Sequence, residues 1–538
     1  MKTVRFNSSN LNTGFLFVLV GLAFWVNLFV LNEGIVHDFP SIQTSSDANQ
    51  HTCYAEGLEE SRDWRVRPDF MAAGIKDSLH YSPPILYFLS LFISQFAGIP
   101  IYDAIGIVAS FAYILPVFPI YLLVRKYFSE NVALVSAGLI LFPIVPSWIY
   151  SLTIGFWIFI LGSFFIPFIL YALFLLIETR ETKYAVLLGV FLTGQFFAHP
   201  PVAIMLIPFI LFFCFYHIFK NRDIVLLKQC ILSAGIVFAL SFWYLLDFYF
   251  GYVKGPSYGV FGINLGVPDY AFGFKEIGLS MIPSIQKLFI VLGVVFLLFN
   301  RKELKSPLSL WILFFTLFTV SNEIGVVYWP MRFRLLWMFY FSIIIAYGFC
   351  KTLEKLRLIK LLPIFLILII GFSAYSQIEY NKQYSPLFTQ NEQDAVDWIR
   401  ENTSENASFL ALFGFVQTSM CYSQRTMFEV NFDYMVNKAK AGEVPTEFYG
   451  SYLFQINDLP KKNGFLNYSY YKNSTYPKDF ESACNFDYVI GNYAVLGHPL
   501  EEYNVYLMNN LLNTTRFQIV YNKDGVGIIK NVGVKGKC

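Results

Sequence analysis

Asp47 and His51 stand four residues apart in the segment Ser46-Asp47-Ala48-Asn49-Gln50-His51. If Ser45 or Ser46 caps a helix starting near Asp47, then Asp47, His51, Tyr54 and Leu58 fall on one stripe at helical spacing. A carboxylate and an imidazole projecting together beside a membrane can hold a divalent ion with a sugar phosphate, or take a proton from an incoming hydroxyl. The plain alternative is an acidic residue favourable to a helix N-terminus and a surface histidine. Asp38 and His80 belong to the same polar stretch, 32–81, which is long for a connector. Far downstream, Arg332 and Arg334 lie in Tyr328–Leu335. A guanidinium fork matches phosphate oxygens, and arginine at a lipid boundary is costly unless it snorkels to headgroups or meets an anion. His199 sits in the short turn Ala198–Pro201.

These residues need a frame that brings them to one side of a membrane. Of 538 residues, 56% are hydrophobic and only 14% charged, against about 25% charged in an ordinary soluble domain. Apolar runs of spanning length fall at 14–31, 102–124, 131–149, 154–177, 184–198, 200–217, 226–250, 284–300, 306–322, 331–350 and 360–377. The net charge of +2, from 39 basic and 37 acidic residues, gives no general attraction to nucleic acid. Seven cysteines without a CxxC pair argue against a disulfide framework or a structural zinc site. Walker, G-x-S-x-G and HExxH motifs are missing from the sequence, which leaves nucleotide-driven transport and hydrolase readings unsupported.

The basic loops fix the expected topology. Arg125 with Lys126, Arg180 with Lys183, Lys220 with Arg222 and Lys228, Arg301 with Lys302 and Lys305, and Lys351 through Lys360 recur at every second connection. All fall in the cytoplasm only if the short apolar stretch within 84–98, which opens behind Pro83 and Pro84, lies at the surface without crossing. An odd number of spans then puts the N-terminus in the cytoplasm and residues 378–538 outside. Five N-x-S/T triplets, at Asn402, Asn406, Asn467, Asn473 and Asn513, agree with an extracytoplasmic, glycosylated domain.

The expected fold is an all-α polytopic membrane bundle, about eleven transmembrane helices plus juxtamembrane helices, over residues 1–377, followed by a C-terminal extracytoplasmic α/β domain. In that domain Asn391–Glu401 reads as an amphipathic helix with Ala395, Trp398 and Ile399 on one face. Phe409–Phe415, Tyr488–Ile490, Phe517–Tyr521 and Val526–Ile529 read as strands, with a turn at Asn522–Gly525. Cys421 and Cys484 either pair there or remain two thiols.

The arrangement resembles the GT-C class of polytopic glycosyltransferases, which take a sugar from a polyprenyl-phosphate carrier on the outer membrane face. Ser46-Asp47-Ala48-Asn49-Gln50-His51 is similar to the D-x-x-x-H form of divergent prokaryotic members. Tyr81-Ser82-Pro83-Pro84-Ile85-Leu86-Tyr87 is similar to the class's Y-x-P-P-L-x-Y segment, which commonly lies at the membrane surface. Ala198-His199-Pro200, Arg332-Phe333-Arg334 and the helix Asp397-Trp398-Ile399-Arg400-Glu401-Asn402-Thr403 also resemble recurring elements. The W-W-D-Y-G signature of true oligosaccharyltransferases is absent, and Trp148–Trp157 carries no carboxylate where metal-dependent members often place one.

The resemblance implies a membrane glycosyltransferase in which Asp47 acts as base toward the acceptor. Arg332 and Arg334 hold the lipid phosphate, His51 and His199 orient groups or touch phosphate, and His80 and Asp38 line the substrate site. The expected partners are a polyprenyl-phosphate-linked sugar, membrane lipids and an acceptor the sequence does not identify; a divalent cation, Mg or Mn, is the candidate cofactor. Two other readings stay open: a non-catalytic scaffold displaying a binding domain, and a flippase for a lipid-linked sugar.

Overall fold

The computed structural model describes residues 8–40, 46–64, 83–143, 151–153, 155–248, 284–321, 330–382, 389–412, 422–429, 461–462, 465–466, 483–492, 501–523 and 525–534. Apolar helices dominate the first part. They are α1 (Ser8–Trp25, running on as a π-helical turn Val26–Leu31), α2 (Ser46–Ser61), α3 (Ile85–Ala97), α4 (Ile101–Ile114), α5 (Val117–Tyr127), α6 (Glu130–Leu141), α7 (Trp157–Thr179), α8 (Thr182–Ala198), α9 (Pro200–Asn221) and α10 (Ile224–Phe248). Then come α11 (Ser284–Phe299), α12 (Pro307–Thr319), α13 (Pro330–Leu335), α14 (Trp337–Lys355) and α15 (Leu362–Asn381). Among the described residues six helical runs are long and apolar enough to cross a membrane, and shorter apolar helices pack between them. The chain is a multi-pass membrane protein.

Three predicted spans have different ends. The run expected over 102–124 divides into α4 and α5 at Leu115 and Pro116, because Pro116 has no N–H for the continuing ladder. The run expected to reach 149 stops at Leu141, since a residue before proline, here Phe142 before Pro143, is pushed out of the helical region. The run expected over 331–350 is two helices. The Leu336 amide closes a tight turn on the Phe333 carbonyl at 3.1 Å, and the Tyr340 hydroxyl donates to that same carbonyl at 2.7 Å. Arg332 and Arg334 therefore sit on a separate short helix, α13, ahead of α14.

Helix direction alternates, so the ends sort into two faces. One carries ion pairs and basic residues: Lys126 with Glu178, Arg180 Nε with Asp223 Oδ2 at 2.5 Å, and Lys351 with Glu354. At the other, Asn381 ties three elements together, donating to the Leu31 carbonyl at 3.0 Å and accepting from Thr153 at 3.3 Å. This second face carries the C-terminal domain. Helix α3 begins and ends on it: Tyr87 near its start meets His51 of α2, and Tyr102, just past its end, packs edge-on against Tyr422. The helix thus lies along that face, with Phe88, Leu89, Phe92 and Phe96 exposed, and Gly98 closes it in a left-handed cap at φ +67°.

The C-terminal domain opens with α16 (Gln390–Asn402), set by a capping box between Thr389 and Glu392. Strands β1 (Ser408–Ala411), β2 (Thr426–Glu429), β3 (Tyr488–Asn492), β4 (Phe517–Lys523) and β5 (Val526–Asn531) form one mixed sheet in the order β2-β1-β3-β5-β4, and α17 (Glu501–Leu512) follows β3. Strand β1 runs parallel to β2 and β3, while β5 runs antiparallel to β3 and β4. Ala395, Val396 and Ile399 of α16 pack on Phe409, Met427 and Ile528.

Candidate active site

Helix α2 is the centre of the site, and its sequence explains how it docks. Ala48, Ala55 and Leu58 join the bundle core, whereas Cys53 joins the core of the C-terminal domain. Successive residues turn about 100° around a helix, so α2 is held between the two units by opposite faces. Asp47 lies in its first turn; the Asp47 side chain is outside the described residues, as are the Arg332 side chain and His80.

His51 points into the bundle and is 6% exposed. Its Nδ1 meets the Tyr87 hydroxyl at 3.1 Å, the ring donates to the Gly155 backbone, and Tyr87 and Trp157 flank it at 6.0 and 6.2 Å between centroids. Burial lowers its pKa to about 4, with the Gly155 bond opposing. The ring is neutral near pH 7 and braces α2 against α3 and the start of α7. Gly155 itself is left-handed at φ +79°, and a Cβ there would stand 2.3 Å from the Ala48 nitrogen. Only glycine allows the loop before α7 to lie on the first turn of α2, next to Asp47.

His199 stands further along α7. It caps α9, its Nδ1 accepting from the Val202 amide at 3.2 Å, and packs edge-on to Phe159 at 5.8 Å. A Cβ on Gly162 would meet the His199 Cβ at 2.5 Å. The two histidines thus flank the first turns of α7, both buried.

Arg334 is 1% exposed, on the short helix just ahead of α14. Its Nε donates to the carbonyl of Thr319, the last residue of α12, at 3.3 Å, where helix-end carbonyls favour a cation. The Thr319 hydroxyl also meets Tyr340 at 2.5 Å and accepts from Trp337 at 3.4 Å. Alternation of the helices puts Thr319, Arg334, His199 and His51 on the face that carries the C-terminal domain.

Asp38 is exposed. Its neighbour His37, which carries no sequence signal, pins the loop. His37 Nδ1 pairs with Asp103 Oδ1 at 2.6 Å, Nε2 reaches the Asn32 carbonyl at 2.5 Å, and the backbone amide donates to Asp103 Oδ2 at 2.9 Å. With a carboxylate and a carbonyl as partners, both ring nitrogens must donate, which requires an imidazolium. The Asp103 bond accordingly raises the His37 pKa, against the effect of burial.

Of the sequons, Asn402, Asn406 and Asn513 are exposed, while Asn467 and Asn473 lie outside the described residues. Cys484 is disulfide-bonded, and Cys421 lies outside the described residues.

No protein-family model matches the chain, and no curated protein matches it. Solved structures do. The oligosaccharyltransferase AglB of Archaeoglobus fulgidus, in complex with an inhibitory peptide and a dolichol-phosphate, aligns with a TM-score of 0.61 at 14% identity, over 97% of this chain and 74% of that one. ArnT of Cupriavidus metallidurans in the apo state aligns with a TM-score of 0.62 at 12% identity, over 97% and 98%. ArnT bound to undecaprenyl phosphate gives 0.57 at 10% identity, over 98% and 99%. At such identity the likeness establishes the fold, which is that of the GT-C glycosyltransferases.

Proposed function

We propose that the protein is a membrane glycosyltransferase that moves a sugar from a polyprenyl-phosphate-linked donor to an acceptor at the face carrying the C-terminal domain. The observation that carries this reading is the docking of α2. A helix with Asp47 in its first turn is locked onto the start of α7 by Gly155 and His51, on the same face as the arginine helix α13. The AglB and ArnT structures, which contain dolichol-phosphate and undecaprenyl phosphate, lend support at the level of ligand class.

In this reaction the acceptor oxygen attacks the anomeric carbon as the bond from that carbon to the phosphate oxygen breaks. The acceptor proton passes to Asp47 and the electron pair leaves with the phosphate. Displacement inverts the sugar. Arg332 would meet the negative charge growing on the leaving phosphate. Arg334, anchored on Thr319, would hold the turn carrying Arg332. His51 and His199 would brace α2 and the α8–α9 turn, and Asp38 and His80 would contribute to substrate binding.

Among the described residues no three His, Cys, Asp or Glu side chains come together as metal ligands, and 148–157 offers no second carboxylate. The steps above run through the chain's own residues.

An extracytoplasmic C-terminal domain fits the same reading. The basic helix ends lie at the opposite face, as cytoplasmic loops do. The free thiols Cys214, Cys230 and Cys350 sit in the halves of their helices far from the domain, whereas Cys53 and Cys484 are disulfide-bonded. Polyprenyl phosphate released from a polyprenyl-phosphate-linked sugar by the purified protein tests the function. Asp47→Asn should lower turnover at least about tenfold with expression unchanged, and undiminished turnover would remove Asp47 from the mechanism.

A further inference from the structure

Helix α2 is fastened to the C-terminal domain by more than packing. The chain has seven cysteines, at 53, 214, 230, 350, 421, 484 and 538. Cys214, Cys230 and Cys350 are free, whereas Cys53 and Cys484 are disulfide-bonded. A partner for Cys53 within the chain is therefore Cys421, Cys484 or Cys538, and all three follow residue 378. Whichever is used, the bond joins the candidate catalytic helix to the C-terminal domain.

The surroundings select among them. Cys53 is 2% exposed and shares an apolar cluster with Ala395, Val396, Ile399, Met427 and Tyr422. Tyr422 directly follows Cys421 in sequence. The Cys484 carbonyl instead accepts from Arg516 Nη2 at 3.1 Å, and that same nitrogen donates to the Val534 carbonyl at 2.5 Å. The last described residues, four short of Cys538, are thus brought beside Cys484.

We infer that Cys53 pairs with Cys421, leaving Cys484 to pair with Cys538, and that the first bond is a covalent tether fixing the Asp47 helix to the C-terminal domain. Each bond forms by exchange with a protein disulfide carrier. Two S–H bonds are lost and one S–S bond forms, while the carrier takes two electrons and two protons and leaves as a dithiol. On α2, Cys53 and His51 are two positions and so about 200° apart. The tether and the His51 brace therefore hold opposite sides of one helix. The name of catalytic helix for α2 rests on the glycosyltransferase reading; the pairing does not.

The test uses the full-length protein in detergent, with free thiols alkylated and the chain digested without reductant for mass spectrometry. A peptide pair joining Cys53 to Cys421 is expected. An alkylated Cys53, or Cys53 joined to any other cysteine, overturns the pairing. Cys53→Ser, Cys421→Ser and the double variant should each speed protease cleavage between α15 and α16 by at least about tenfold, and to the same extent. A double variant clearly worse than either single would overturn the tether. Because neither readout measures sugar transfer, a catalytically silent protein would sink the proposed function and leave this inference standing.

Discussion

Gly155 rests on Ala48 so closely that a side chain at 155 would stand 2.3 Å from the Ala48 nitrogen and 2.7 Å from its Cβ. The contact joins the loop before α7 to the turn of α2 that carries Asp47. Gly155→Ala combines a left-handed backbone penalty with overpacking, on the order of 2–4 kcal/mol in all. Relief by lifting α2 predicts a loss of turnover well beyond any fall in the thermal midpoint. Activity and melting measured on one preparation check this, and equal turnover would detach the contact from catalysis.

His37 predicts an alkaline limb. Its folded pKa is raised by Asp103, so its contribution is fully present below the unfolded value of about 6.5 and is lost as pH rises through the folded value. Protease susceptibility of residues 32–40 should increase across that window. His37→Asn should be susceptible already at pH 6 and show a flatter profile; a wild-type profile in that variant would remove His37 as the pin.

How much of this was legible in the chain depends on the distance over which each signal acts. The stripe Asp47, His51, Tyr54, Leu58 is local, and α2 forms over Ser46–Ser61 with His51 and Leu58 buried. The helix expected over 391–401 and the later strands were likewise written in short-range periodicity. His37 with Asp103 and Gly155 with Ala48 pair across long separations, and neither residue type advertises its partner. Arg334 combines the two ranges. An arginine against the basic-loop pattern reads as surface phosphate chemistry, but the break at Leu336 turns it inward onto Thr319.

Glu56, on the side of α2 near the C-terminal domain, carries a second pH signal. Burial, then the charges of Glu59 and Glu60, push its carboxyl up to about 7, against the pull of Arg400. Because the folded state holds the proton more tightly, stability falls as pH rises from the unfolded carboxylate range to about 7, and then levels. Glu56→Gln should lose that slope and melt higher than wild type at pH 8. Identical melting curves at pH 8 would mean that Glu56 ionises without cost.

Arg332 and Arg334 should separate in kind, although they are two residues apart. Arg334 is buried and donates to the end of α12. Removing it leaves a buried carbonyl short of its donor and a cavity, so Arg334→Ala should destabilise by about 3 kcal/mol or more and lower the thermal midpoint by several degrees. Arg334→Lys keeps the charge but not the fork, and should recover part of that loss. Arg332, if it meets the donor's phosphate, should behave in the opposite way. Arg332→Ala should leave the midpoint unchanged while raising KM for the lipid-linked sugar or lowering kcat by about tenfold or more. The two variants melted and assayed side by side decide the matter: a shared loss of stability with no kinetic signature for Arg332→Ala would make α13 a structural plug rather than a phosphate clamp.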